Sequence, residues 1–232
     1  FWGFLDYLFT VGVALLAFSA WIALRERAAA LRAAVFSVVA LILFIGHLFG
    51  LFVYGLMVLG YELWRVRGHA LLGRDMIRAW AVSGVQFAVP AALFLYWTAT
   101  NGTGDAAPTE YGALSLRFIA LISPVLFGMP WIDIPTAVFL AVVFALCRRH
   151  AFVGFAPEMI APVLLLTIAA LVMPHYLAGV WGTHFRIPTI IGCILVAGVR
   201  LAPEAGRFAT TVAAAAVAMV VLRTAVISHG WA

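Results

Sequence analysis

A chain of 232 residues that is 66% hydrophobic and 10% charged, with a mean hydropathy of +1.13, has too little polar surface to clothe a soluble globule of its size. Its formal charge of +5 rests on fourteen arginines and no lysine, gathered in short gaps between apolar runs. That is the positive-inside pattern of membrane insertion, and without basic and aromatic interleaving it excludes a nucleic-acid surface.

The apolar runs predict an all-α fold, a polytopic transmembrane helix bundle of about seven or eight membrane segments within one domain spanning 1–232. The first run covers Trp2 to Leu24 and is interrupted only by Asp6. It stops at RERAAALR, where Arg25, Arg27 and Arg32 predict a cytoplasmic loop, as do Arg65, Arg67, Arg74 and Arg78 in the next gap. Two gaps on one side require an even number of crossings between them. The intervening Ala33 to Trp64 is long for one helix and short for two. A short broken hairpin turning at Gly46 to Gly50, in IGHLFG, satisfies the count, and a single long tilted helix is the competing reading.

Ala79 to Thr98 crosses outward, with Pro90 placed to kink it. The loop TATNGTGDAAPTEYG carries Asp105 and Glu110, no basic residue and the weak Asn101-Gly102-Thr103 sequon, a composition that belongs on the extracytoplasmic side. Arg117 opens an amphipathic piece of about a dozen residues along the outer interface, after which Pro124, Pro130 and Pro135 break the helix. A descending helix from Trp131 to Cys147 follows, ending at the cytoplasmic Arg148 to His150. From Ile160 the chain climbs to Pro174 and His175, descends from Ile187 to Val199, turns at RLAPEAGR and rises from Phe208 to Leu222. MPHYLAGVWGTHFRIP, Met173 to Pro188, is thereby an outward-facing turn between two helices. Both ends of the chain start or stop abruptly in apolar sequence, without the basic start and cleavage site of a signal peptide, and read as cuts in a longer protein.

On this topology the outer face collects Asp6, Arg117, Asp133, His175, His184 and Arg186. Arg186 keeps its charge and presents a planar fork of donors suited to a lipid phosphate, the alternative being plain snorkelling to a headgroup. Arg117 divides between an interfacial anchor and a second phosphate contact. Asp133 is costly near the bilayer unless paired or wet, and equally well placed to cap its helix with Pro135 in the first turn. His47, His175 and His184 raise haem ligation, but none lies in the middle of a long uniform helix, so haem is not expected and an interhelical hydrogen bond is the commoner role. Cys147 and Cys193 have no CxxC partner and read as small buried residues. HExxH, P-loop and GxSxG motifs are absent, which removes the local signatures of zinc, nucleotide and acyl chemistry.

Three stretches taken together carry a resemblance: GHLFGLFVYGLMVLGYEL, LRFIALISPVLFGMPWIDIP, and MPHYLAGVWGTHFRIP with the helix pair and RTAVISHGWA that follow. Their order resembles the carboxy-terminal half of bacterial polytopic membrane proteins related to the C superfamily of glycosyltransferases. The resemblance implies residence in the bacterial inner membrane and transfer of a sugar from a polyprenyl-phosphate donor to an acceptor on the extracytoplasmic side. It implies a catalytic acid, often with a divalent metal, in a first outer loop that would precede Phe1; neither Asp6 nor Asp133 sits in a matching context. It puts Arg186, with His184 beside it, near the donor's phosphate, where a fixed cation would stabilise the departing lipid phosphate. Two further classes stay open: a non-catalytic membrane subunit packed in a larger complex, and a transporter, for which only the IGHLFG break qualifies.

Overall fold

The computed structural model describes residues 2–68, 73–101, 109–125, 129–149, 153–177 and 180–230, with side chains from Asp6 onward except those of Asp75, Asn101, Cys147, Arg148, Ile227 and Ser228. Gly102 and Thr103 of the sequon, Asp105 and His150 lie outside the described residues, as do the side chains of Cys147 and Arg148.

Three apolar helices open the chain: α1 (Trp2–Ala23), α2 (Ala29–Gly46) and α3 (Leu48–Arg65). They run up, down and up. Arg32 near the start of α2 pairs with Glu62 near the end of α3, and Trp21 at the end of α1 donates to the same carboxylate. At the far end Thr10 of α1 lies against Gly46 and Gly50, where a Cβ on Gly50 would come within 2.8 Å of Thr10. The predicted hairpin is therefore present, and the single tilted helix is not. The hairpin is not short, however: each arm has 18 residues, about 27 Å of helix. It is longer than expected because α2 starts at Ala29, inside what reads as loop, so Arg32 is helical and buried. His47 makes the break by capping α3, its Nδ1 accepting from the Phe49 amide at 3.1 Å.

The next pair is α4 (Arg74–Val85) and α5 (Ala88–Asn101), bent by 55°. Pro90 offers no N–H to the Gln86 carbonyl one turn earlier, which explains a bend at Gln86 and Phe87 rather than at the proline itself. Then come α6 (Leu114–Ile122), an amphipathic helix shorter than expected, and α7 (Pro130–Arg149). Pro130 occupies the first position of α7, where the missing N–H costs nothing. Pro135 does not break the helix as expected; it is accommodated inside α7 at the loss of one early hydrogen bond.

The chain is predominantly helical, as expected, and the remainder adds four short strands. Strand β1 (Val153–Phe155) precedes α8 (Ile160–Val172), β2 (Tyr176–Leu177) and β3 (Val180–Trp181) form the corner, and α9 (Ile187–Ala197) leads to β4 (Val199–Leu201) and α10 (Gly206–Gly230). Antiparallel β1 pairs with β4, and β2 with β3, while Glu110 bridges to Tyr176. These ribbons clamp the antiparallel α8–α9 pair at its two ends and satisfy backbone groups that the helix ends leave open.

Helix α8 packs along α3, closest where Gly60 faces the backbone of Pro162; a Cβ there would overlap the proline ring nitrogen. The main core gathers Trp21, Phe36, Leu43, Tyr54, Met57 and Leu166 with Ile190 and Ile194 of α9. Cys193 of α9 is free and exposed, not buried as expected.

Among the described residues four helical segments are long and apolar enough to cross a membrane, Asp6–Ala23, Ala29–Gly46, Leu48–Arg65 and Pro203–Val226, and the bent pair of α4 and α5 adds a fifth if it counts as one. The expected seven or eight is reached only by adding the shorter apolar helices Pro130–Leu146, Pro157–Val172 and Thr183–Ala197. The 13 residues of α8 rise about 20 Å, less than a hydrocarbon core of about 30 Å.

Candidate functional site

The bundle has two chemically distinct ends. One gathers Arg25, Arg27, Arg32, Arg65 and Arg78 around Glu62, with the Arg200–Glu158 pair beside the β1–β4 ribbon. The other brings together Tyr7, His47 and the corner between α8 and α9.

At the second end a cavity of about 830 Å³ opens between the first half of α3, the face of α4 and the corner. Its wall is apolar, with Leu51, Phe52, Leu56, Trp80, Phe87 and Met173 among the lining residues. Polar side chains are few: His47, Ser83, Thr183 and Arg186. No carboxylate stands in the lining among the described residues.

Arg186 is placed by both its backbone and its side chain. Gly182, in the left-handed region at φ +69°, turns the chain into the short 3-10 helix Thr183–Phe185. The Thr183 hydroxyl ties this turn to the Pro174 carbonyl at 2.5 Å. Tyr7 of α1 then donates its hydroxyl to the Arg186 carbonyl at 2.8 Å, and the guanidinium carbon stands 5.0 Å from the same ring's centroid. Arg186 is half-buried, and no carboxylate lies within ion-pair distance of it among the described residues. His47 stands edge-on to Tyr7, with ring centroids 6.0 Å apart. An oriented cation at the end of an apolar cavity, with no carboxylate in ion-pair reach among the described residues, suits an amphiphile with an anionic head.

The other expected site residues separate into two groups. His184 is buried behind the cavity, its ring 5.1 Å from that of His175 and 4.2 Å from that of Phe185. Neither of its ring nitrogens has a hydrogen-bond partner among the described residues. Burial, then the neighbouring His175 and Arg117 charges, hold its pKa below the usual histidine value. Arg117 belongs with this pair. Its guanidinium donates to the Leu171 carbonyl at 2.6 Å, at the end of α8.

Asp133 is elsewhere. From inside the first turn of α7 it accepts from the Met129 amide at 3.0 Å, and it pairs with Arg223 of α10 at 3.3 Å. Asp6 is exposed at the start of α1. Among the described residues no group of three or more His, Cys, Asp or Glu is placed to hold a metal ion.

Sequence reasoning missed Tyr7, which positions Arg186, and the pair of Tyr54 and Gln86, hydrogen-bonded at 2.8 Å between α3 and α4. It also missed Glu62, the buried acceptor for Trp21 and Arg32. An acid inside an apolar helix was the available signal for Glu62; Tyr7 carried none. Comparison of the chain with protein-family models, curated proteins and solved structures finds no match.

Proposed function

We propose that this chain is an integral protein of the bacterial inner membrane that holds a phosphate-bearing lipid in the cavity between α3, α4 and the corner. The apolar wall takes the tail, and Arg186 engages the phosphate. The observation that carries this reading is the pairing of an apolar lining with one oriented arginine that lacks a carboxylate partner among the described residues.

With the arginine-lined end inward, the positive-inside rule puts the corner at the extracytoplasmic face. The three shorter apolar helices then complete seven or eight segments, with the corner among the headgroups. The reaction class implied by the resemblance is sugar transfer from a polyprenyl-phosphate donor, and a cation beside the departing phosphate suits it. The residues of this chain would bind and orient the donor.

A second reading, a non-catalytic subunit of a larger membrane complex, draws support from α10, whose most apolar stretch is entirely unburied. Binding of a polyprenyl phosphate to the purified chain in nanodiscs separates the two. Saturable binding weakened at least about tenfold by Arg186→Ala, the loss of one charge-assisted phosphate contact, supports the lipid-binding reading. Binding that Arg186→Ala leaves untouched, or none at all, removes it in favour of the subunit.

A further inference from the structure

The opposite end of the bundle holds a second cavity of different chemistry. It encloses about 270 Å³, roughly the share of nine water molecules in the liquid. Its wall is built from α1, the connection after it, α2, α3 and α4, and its charged lining is Arg25, Arg27, Arg32, Arg65, Arg78 and Glu62. Five guanidinium groups thus surround one carboxylate.

That carboxylate is already engaged. Glu62 accepts from Trp21 Nε1 at 2.9 Å and from Arg32 at 3.3 Å on one oxygen, and pairs with Arg65 at 2.9 Å through the other. Arg32 is held rigidly, its guanidinium 3.9 Å from the Trp21 ring centroid and its side chain 5% exposed. Its Nε is buried without a hydrogen-bond partner among the described residues. Arg25 pairs outward with Glu26 at 3.1 Å. Arg27 and Arg78 are exposed and have no ion-pair partner among the described residues.

Topological bias explains arginines at this end of the chain. It does not explain their convergence from separate elements onto one walled cavity, where like charges repel at short range and in reduced dielectric. An anion with several acceptor oxygens relieves that repulsion and matches the planar donor forks.

We propose that this arginine-lined cavity is a phosphate-binding site, separate from the apolar cavity at the other end. The phosphate comes either from a free phosphate-bearing solute or from the headgroup of an anionic lipid in the same leaflet. Arg32, fixed by Trp21 and Glu62, forms the floor, while Arg27 and Arg78 close over the ligand.

Two arms test this on the purified chain. In phosphatidylcholine nanodiscs, calorimetric titration with inorganic pyrophosphate reads the free anion. In nanodiscs containing phosphatidylglycerol, native mass spectrometry reads retained lipid. The double substitution Arg27→Gln with Arg78→Gln removes exposed charges that have no ion-pair partner among the described residues and spares the buried network. Binding in either arm that falls by about tenfold or more in the double variant assigns the site and names its source. Absence of binding in both arms, or binding indifferent to the double substitution, overturns it. Arg186→Gln is the control at the other end: unchanged readouts keep the two sites apart, and a loss equal to the double variant's overturns the assignment to this cavity.

Discussion

Arg32, in the first turn of α2, and Glu62, one turn from the end of α3, meet at 3.3 Å with their side chains 5% and 6% exposed. A cation at a helix N-terminus works against the helix dipole, so the position of Arg32 is explained by its tertiary partners and not by local preference. The pair closes the α2–α3 hairpin, and Trp21 joins α1 to it through the same carboxylate. Removing one member of a buried pair strands the other. Glu62→Ala is expected to destabilise the fold by about 3 kcal/mol. Glu62→Gln, which keeps an acceptor for the indole N–H, should cost less. Thermal unfolding in detergent checks the order, and equal melting temperatures for the Ala variant and the wild type would contradict it.

Gly60 lets α3 and α8 touch backbone to backbone at Pro162. Neither backbone can yield without shifting its helix. Gly60→Ala is expected to cost about 1–3 kcal/mol through overpacking, whereas Gly84→Ala, where an added Cβ meets nothing within 4 Å, should leave stability unchanged or slightly raised. A Gly60→Ala protein as stable as the Gly84→Ala one would show that the helices do not approach here.

Arg117 and Arg186 should fail in opposite ways. Arg117→Met removes a charged donor from the Leu171 carbonyl, at an expected cost of about 1.5–3 kcal/mol in stability, with polyprenyl-phosphate binding per folded molecule preserved. Arg186→Met should preserve the melting temperature and lose the binding. Measuring both quantities on both variants checks the assignment, and a binding defect in folded Arg117→Met would return that residue to the phosphate.

His184, in the connection between α8 and α9, is buried with its pKa depressed by desolvation and by the His175 and Arg117 charges. The unfolded chain, with an ordinary histidine near pH 6.5, binds the proton at a higher pH than the folded chain does. Stability should therefore be fully present above about pH 6.5 and fall as the pH drops towards the depressed folded value. Melting temperatures at pH 7.5 and pH 5.5 should differ more for the wild type than for His184→Phe. An equal difference in the two proteins would exclude His184 as the source.

Much of the helix plan was legible because apolar runs in a chain this poor in charge have few alternatives. The run from Trp2, the turn at His47, the helix after Ile160 and the corner at Pro174 all follow from where polar residues interrupt hydrophobic ones. What misled was reading arginine as a loop marker. Arg32 sits inside α2, and only its contact with a residue thirty positions away explains why. Prolines misled in the same manner: Pro135 remains within α7, while the bend near Pro90 falls before it. The small β-ribbons were invisible, since pairs of two or three residues leave no periodic signal.

By itself the sequence determined that the chain is built of apolar helices and that polar residues interrupt them at His47 and at the Pro174–Pro188 corner, because hydrophobicity is a local property summed along the backbone. The tertiary structure alone decided which polar groups act together. It set Tyr7 under Arg186, separated Arg117 and Asp133 from them, and drew arginines from four segments around Glu62. Such groupings depend on the rotation of each helix about its axis and on close approaches such as Gly60 to Pro162. Those are fixed by packing between residues far apart in the chain, and no single segment encodes them.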